Sequence, residues 1–449
     1  MDRRYDREIW RLAVPAFFAI VAEPLFLLAD SAIVGHLGAA PLAGLGIAGT
    51  VLQTITGLCV FLAYGTTAAV ARRIGTGDVR GALTQGIDGI WLAVVIGLVA
   101  TLGCATLAHP LVRLAGAGTD VTTPATTYLR IAAFGLVPLL VAQAATGIVR
   151  GLQDTRTPLV VAVSANLLNI ALNITLVDGV HLGIAGSATG SLISQWLAAL
   201  ALLVVVVRGA RRQGARLRPH RGGILEAART GVPLVVRTLA LRAALVVTTY
   251  SVARLHRGGG HAQAVDLAAH QVVSTTWSTL AFVLEAIEIA AQAIVGRSLG
   301  TGETSETRAL TRRMIWWGVV VSSACGVLVL ATSPWLGDPF TGDPSVRHLV
   351  SRALIVIAIA QPLGGVTFIL DGILVGAGDG PYLARAMAVS FVVYAPVVLI
   401  VAFAAPGAGL VGIWLLYSGL FIGLRMLTLL RRFRTDRWLV AGGTGTVGA

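Results

Sequence analysis

The sequence predicts an all-α integral membrane protein with about twelve transmembrane helices, arranged as two six-helix lobes that are related by an internal repeat. Composition supports this prediction, because 56% of the 449 residues are hydrophobic, only 12% are charged, and the mean hydropathy is +0.82. Soluble domains are much more polar. The second observation is that short motifs of the first half recur about half a chain later.

The repeat consists of three pairs of matching segments. They lie at nearly the same offset: 74–78 with 299–303, 147–151 with 372–376, and 183–186 with 409–412. Duplicated halves are typical of transporters, in which the substrate path lies between the halves. Because each half has an even number of helices, both halves have the same orientation, and the repeat axis runs along the membrane normal.

Each predicted helix is an apolar stretch long enough to cross a bilayer. No water reaches the bilayer core, so each stretch must satisfy its backbone hydrogen bonds internally, as a helix does. The predicted spans are 10–34, 44–71, 87–109, 125–149, 158–178, 184–207, 230–254, 266–296, 313–336, 348–376, 382–405 and 408–430. They divide the chain into a first lobe at 1–208, a basic linker at 209–229, a second lobe at 230–432 and a tail at 433–449.

Arginine supplies all of the basic charge, since none of the 34 basic residues is lysine and the net charge is +13. The arginines concentrate in alternate loops, with the richest run at 208–221 between the halves. The positive-inside rule therefore places both termini in the cytoplasm, and we expect a multi-pass protein of the cell (plasma or inner) membrane. The same distribution favours membrane lipid, and no nucleic acid, as the partner of the linker.

The sequence also excludes several chemistries. Without lysine the chain has neither a Walker A loop nor a pyridoxal Schiff base. Cys59, Cys104 and Cys325 lie inside apolar stretches, which predicts small core residues that bind no metal. We expect no enzymatic activity and no cofactor, so that an ion gradient or the gradient of the substrate supplies the energy.

Several segments together resemble the multidrug and toxic compound extrusion (MATE) family. They are 28–38 in the first span, 71–75, 147–151 and 169–173, while 235–239 and 371–376 look most like the DNA-damage-inducible (DinF-like) branch. The resemblance covers nearly the whole chain. It implies two lobes in a V shape and a secondary active transporter that exports amphipathic, often cationic, drug-like molecules in exchange for protons or sodium, acting as a monomer.

Two other classes of function remain open at this stage. A lipid-linked oligosaccharide flippase of the same wider superfamily would favour a strongly cationic central cavity, whereas here acids outnumber arginines at membrane depth. An intramembrane enzyme or a structural membrane protein is disfavoured by the absence of catalytic motifs and by the repeated halves.

Polar residues of the first lobe predict an ion-coupling site. Asp30, Asn169, Asn173 and Ser191 lie at similar depth near the outer ends of their spans, and Asn169 and Asn173 share a helix face. An ionisable group inside a membrane needs a cavity or a partner. We interpret Asp30 as the carboxyl group that exchanges the coupling ion, although it could instead belong to a purely structural network.

Two further polar residues of this lobe have alternative roles. Some MATE relatives have a carboxylate where this chain has Asn173, so Glu23, two helical turns before Asp30, is the candidate for a second acid. A structural role beside Pro24 is the alternative for Glu23. Gln143 fits either the lining of a substrate cavity or an interhelical hydrogen bond. Because the residues near Asp30 supply only neutral oxygens and the second acid, Glu23, is more distant, protons are favoured over sodium as the coupling ion.

The second lobe has its own group of intramembrane charges. Arg237, Glu285, Glu288 and Asp371 lie at comparable depth near the inner ends of their spans. Because unpaired buried charge is costly, mutual neutralisation is one interpretation of this group. The other is a second cation site, in which surplus negative charge attracts the substrate; Ser191 and Gln143 would add to this cavity from the first lobe.

The arginine distribution makes a prediction about topology. In a background without Cys59, Cys104 and Cys325, a cysteine replacing Gly214 should react with an impermeant maleimide only from the cytoplasm. A cysteine replacing Gly259 should react only from outside. Labelling intact cells and inverted vesicles checks both positions, and the reverse pattern would overturn the orientation.

Overall fold

Twelve helices that are long and apolar enough to cross a membrane form the described part of the computed structural model, which comprises residues 2–256 and 260–442. We number them as spans 1 to 12: Arg3–Gly35, Ala39–Gly75, Val79–Thr106, Thr119–Gly151, Arg156–Gly179, Ile184–Arg212, Arg221–Arg254, His261–Thr301, Thr304–Thr332, Pro344–Gly376, Gly380–Ala404 and Pro406–Arg434. The predicted fold class is confirmed.

Four of these spans are interrupted or change their helical pitch. Span 2 consists of Ala39–Leu58 and Phe61–Gly75, and span 4 of Thr119–Ala132 and Leu136–Gly151 joined by the 3₁₀ turn Ala133–Gly135. Span 5 is Arg156–Asn173 followed by the π turn Ile174–Gly179. Span 12 runs through Pro406–Ala408, Gly409–Leu415, the π turn Leu416–Phe421 and Ile422–Arg434. A short helix, Ala108–Leu114, follows span 3.

Most helices extend beyond the predicted apolar stretches, because helical geometry continues into polar turns outside the apolar core. Spans 3 and 9 end earlier than predicted, at Thr106 and Thr332. Pro110 and Pro334 follow these ends, and a proline cannot donate the hydrogen bond that would continue the helix.

Helix also extends into the segment 209–229, which the sequence predicts as a linker. Span 6 continues to Arg212 and span 7 begins at Arg221. The segment 257–259, which contains Gly259, and the end of the predicted tail at 443–449 lie outside the described residues.

The two halves share a core at one end of the molecule only. The largest cluster of buried apolar side chains includes Val70 and Ile148 of the first half and Ile294 of the second. This shared core lies toward the face where both described chain ends are found, which we call the terminal face. Toward the opposite face each half has a separate core, around Leu129 in the first and around Trp414 in the second. The halves therefore diverge toward the opposite face.

The repeated glycine motif contacts its own copy in this shared core. A Cβ atom on Gly75 would lie 2.1 Å from the carbonyl oxygen of Arg297, and one on Gly300 would lie 2.1 Å from that of Arg72. Gly75 and Gly300 occupy equivalent positions of the repeat, so the axis that relates the halves passes between the ends of spans 2 and 8. Only glycine permits this approach of two backbones.

Candidate ion-coupling and substrate sites

Asp30 lies near the opposite-face end of span 1 and is 2% exposed. Two donors converge on one of its carboxylate oxygens. Asn173 Nδ2 of span 5 and Ser187 Oγ of span 6 each donate a hydrogen bond to Asp30 Oδ1 at 2.7 Å. This single carboxylate oxygen therefore holds three spans together.

The hydrogen-bond network continues along spans 5 and 6. Asn173 Nδ2 also donates to Asn169 Oδ1 at 2.9 Å, and Asn169 Nδ2 donates to Ser191 Oγ at 3.0 Å. All of these side chains are buried. The sequence predicted that Asp30, Asn169, Asn173 and Ser191 converge, and the structure brings them together in what we call the Asp30 cluster.

The sequence analysis missed two members of the Asp30 cluster. Ser187 lies one helical turn before Ser191 on the same face of span 6, a spacing that could have identified it. Tyr128 of span 4 is buried beside them and lies close enough to Asp30 and to both serines to interact with them electrostatically. A Cβ atom on Gly190 would lie 2.1 Å from Asn173 Oδ1, so this glycine makes room for the amide.

Glu23 and Gln143 do not join the Asp30 cluster. The Glu23 side chain is exposed and lies within electrostatic range of Glu285 of the second half, so it belongs to the opening between the halves. Gln143 Nε2 donates to the Thr56 carbonyl at 3.3 Å, which links spans 4 and 2. The structure thus places Gln143 in an interhelical hydrogen bond.

Arg237 of span 7 is the centre of a buried network in the second half. Its Nε donates to Asp371 Oδ2 of span 10 at 2.9 Å, and its Nη2 also bonds this oxygen and lies 3.3 Å from Glu288 Oε1 of span 8. Arg425 of span 12, which the sequence analysis missed, lies 3.3 Å from the same oxygen of Asp371. Two arginines therefore face two carboxylates, and the charges balance.

Glu285 has a different partner from the one that its depth in the membrane suggested. It lies one helical turn before Glu288 on span 8, but it accepts a hydrogen bond at 2.5 Å from the hydroxyl of Tyr64, which belongs to span 2 of the other half. Arg150 of span 4 lies within electrostatic range of the same pair. Glu285 thus connects the two halves where their shared core meets the opening.

Among the side chains of the described ranges, no group of three His, Cys, Asp or Glu residues has the arrangement of a metal site. The polar groups instead form two networks. In one, neutral amide and hydroxyl groups surround the single carboxylate of Asp30, and in the other, two arginines balance the charge of two carboxylates. An arrangement of this kind can hold or release a small cation or a proton at Asp30, while the second network keeps its helices in register.

Duplicated six-helix halves that share a core at one face define a multi-pass membrane protein with a central cleft. Comparison with known proteins identifies its family: the MatE family profile matches residues 15–175 and 233–400, so the chain belongs to the MatE family. The family that matches is therefore not that of the lipid-linked oligosaccharide flippases, which the sequence analysis had left open as an alternative.

Individual relatives resemble this chain along its length. Protein DETOXIFICATION 44, chloroplastic, of Arabidopsis thaliana is 28% identical, over 98% of this chain and 82% of that protein. DNA damage-inducible protein F of Escherichia coli (strain K12) is 25% identical, over 97% of this chain and 94% of that protein. The fold matches the outward-facing conformation of a multidrug resistance MATE family transporter of the MOP superfamily, with a TM-score of 0.86, 20% identity, and coverage of 97% of this chain and 96% of the other.

The network around Arg237 predicts unequal effects of removing its two carboxylates. Asp371→Asn should lower the free energy of unfolding by about 3 kcal/mol or more, because it leaves two buried arginines without their shared partner. Glu288→Gln is the matched control and should cost less, since Arg237 keeps its bonds to Asp371. Thermal unfolding in detergent measures both, and equal destabilisation by the two variants would contradict the arrangement.

Proposed function

We propose that this chain is a secondary active exporter, which moves amphipathic and often cationic drug-like molecules outward in exchange for an ion that binds at Asp30. The observation that supports the proposal most strongly is the Asp30 cluster. There a single buried carboxylate joins three helices of the first half, near the face at which the two halves diverge. Relatives described as multidrug resistance proteins support the substrate class.

Coupling follows from the two donors on Asp30. A charged carboxylate accepts the strong hydrogen bonds of Asn173 and Ser187, which hold spans 5 and 6 against span 1. A proton on Asp30 neutralises the acceptor and weakens both bonds, so span 1 can move relative to its neighbours. Proton uptake and release would then shift the position of a helix that borders the cleft.

Protons suit this cluster better than sodium does. Sodium in a dry site needs several free oxygen ligands and usually a net negative charge, as other hard cations do. In the cluster, Asn169 Oδ1 and Ser191 Oγ already accept hydrogen bonds, and Asn173 Oδ1 is a buried neutral oxygen without a partner. A single carboxylate is sufficient for a proton.

Orientation follows from the arginines. We place the terminal face in the cytoplasm of a cell (plasma or inner) membrane, so that the halves diverge toward the outside and the described conformation faces outward. Glu23 and Glu285 then provide negative charge at the floor of the outward-facing cleft, between the two halves, where a cationic substrate would be held. The chain is proposed to act as a monomer within membrane lipid.

Asp30→Asn should abolish coupled efflux while leaving insertion and folding intact, because it removes the titrating group and preserves the shape of the side chain. Uptake of a fluorescent cationic dye into inverted vesicles, which corresponds to export from the cell, measures the effect. Asp178→Asn is the matched control, since Asp178 is exposed and lies in the π turn of span 5, outside the cluster. Normal transport of the dye by correctly inserted Asp30→Asn protein would contradict the proposal.

The coupling ion can be tested in reconstituted vesicles under separately imposed gradients. Substrate added to energised vesicles should collapse a pH gradient in the complete absence of sodium, because Asp30 offers a proton acceptor and few free oxygens. Should efflux rise with sodium at constant pH and stop without it, protons are the wrong assignment. Glu23 would then be the first residue to examine as a ligand.

A further inference from the structure

The chain after span 12 crosses the terminal face as an ordered segment. We call residues 435–442 the strap. Its Trp438 is fully buried, stacks on Phe433 with ring centroids 5.2 Å apart, and donates its indole N–H to the Phe433 carbonyl at 2.9 Å. The Gly442 N–H donates to the Leu299 carbonyl of span 8 at 3.2 Å. The strap is thus attached to the second half through Trp438 and Gly442.

Arg72 of span 2 provides the contact of the strap with the first half. The guanidinium donates from Nε to the Gly442 carbonyl at 2.7 Å, from Nη2 to the Val440 carbonyl, and from Nη1 to the Ala377 carbonyl at 2.7 Å. Ala377 caps the end of span 10, where the helix dipole is negative. All three acceptors therefore belong to the second half or to the strap.

Because Arg72 is charged and buried, its three hydrogen bonds to the strap and to Ala377 are expected to form or break together. The residue is only 3% exposed, and among the described side chains no carboxylate pairs with it. A buried cation without a counterion depends on its hydrogen bonds. Separation of the halves at the terminal face would remove all three acceptors together and leave the guanidinium to be rehydrated.

We propose that the strap is a latch that holds the terminal face closed, with Arg72 as its releasable contact. The strap remains with the second half through Trp438 and Gly442 when the halves separate, and Arg72 withdraws with span 2. This inference rests on the proposed function, because a latch at this face has a role only in a protein whose cleft opens alternately to the two sides.

The test measures access to the shared core and requires no transport. A cysteine replaces Ala68 of span 2, which is 7% exposed and lies beside Gly296 of span 8, in a background without Cys59, Cys104 and Cys325. The protein is placed in lipid nanodiscs, which expose both faces, and the rate of labelling by a water-soluble maleimide is measured without substrate or ion gradient. Failure of the chain to export anything would leave this measurement unaffected.

Two variants open the latch, and two serve as controls. Truncation after Thr435 removes the strap, while truncation after Gly442 preserves it. Arg72→Gln removes the charged donor group from the full chain. Arg308→Gln breaks only the exposed pair of Arg308 with Asp436, in which both side chains are nearly half exposed.

Truncation after Thr435 and Arg72→Gln should each accelerate labelling by about tenfold, because each removes the charged hydrogen bonds between Arg72 and the strap. The two changes combined should give no more than either alone, as expected for two parts of one interaction. Both controls should label at the original rate. Equal labelling of the two truncated chains, or additive effects of the strap and Arg72, would overturn the proposal, and the Arg72→Gln result decides it if the shorter chain does not fold.

Discussion

The backbone contact between Gly75 and Gly300 is the constraint on which the rest of the structure depends. Because neither residue has a side chain, the ends of spans 2 and 8 approach closely on the repeat axis, and the apolar residues around them merge into one core. Contact at this end leaves the two halves free to diverge at the other. The central cleft, the separate cores toward the opposite face and the position of Glu285 between the halves all follow from the point at which the duplicated units touch.

The two halves of the duplication use polar residues in different ways. In the first half, one carboxylate is surrounded by neutral donors, so a change in its charge alters the hydrogen bonds of three spans. In the second half, Asp371 and Glu288 face two arginines, and such a network resists any change of charge because a removed partner leaves a buried ion. In the proposed exporter, a change of charge at Asp30 therefore alters the helix contacts of the first half, while the network of arginines and carboxylates keeps the helices of the second half in place.

The sequence was sufficient for the helices and for much of the Asp30 cluster, because apolar length and depth along a helix are local properties. Asp30, Asn169, Asn173 and Ser191 could be grouped from their distances to helix ends and from helical spacing. Depth says nothing about which way a helix is rotated, so the partner of Glu285 and the participation of Arg425 could not be predicted. The strap has no apolar run and no motif, and its position depends on contacts with span 2 and span 8, which are remote in the chain.

The shared core has a consequence for the order in which the protein is made. When the first six spans have entered the membrane, the surface around Gly75 faces lipid, and its partner on span 8 has not yet been synthesised. Lipid is as apolar as the missing helix, so contact with lipid costs this surface little free energy. Arg72 differs from this apolar surface, because its acceptors at Val440 and Gly442 follow span 12 and are synthesised long after Arg72 itself. A charge made early in translation is therefore bound by its strap acceptors only after span 12 has been made, so the burial of this single arginine comes late in the assembly of the two halves.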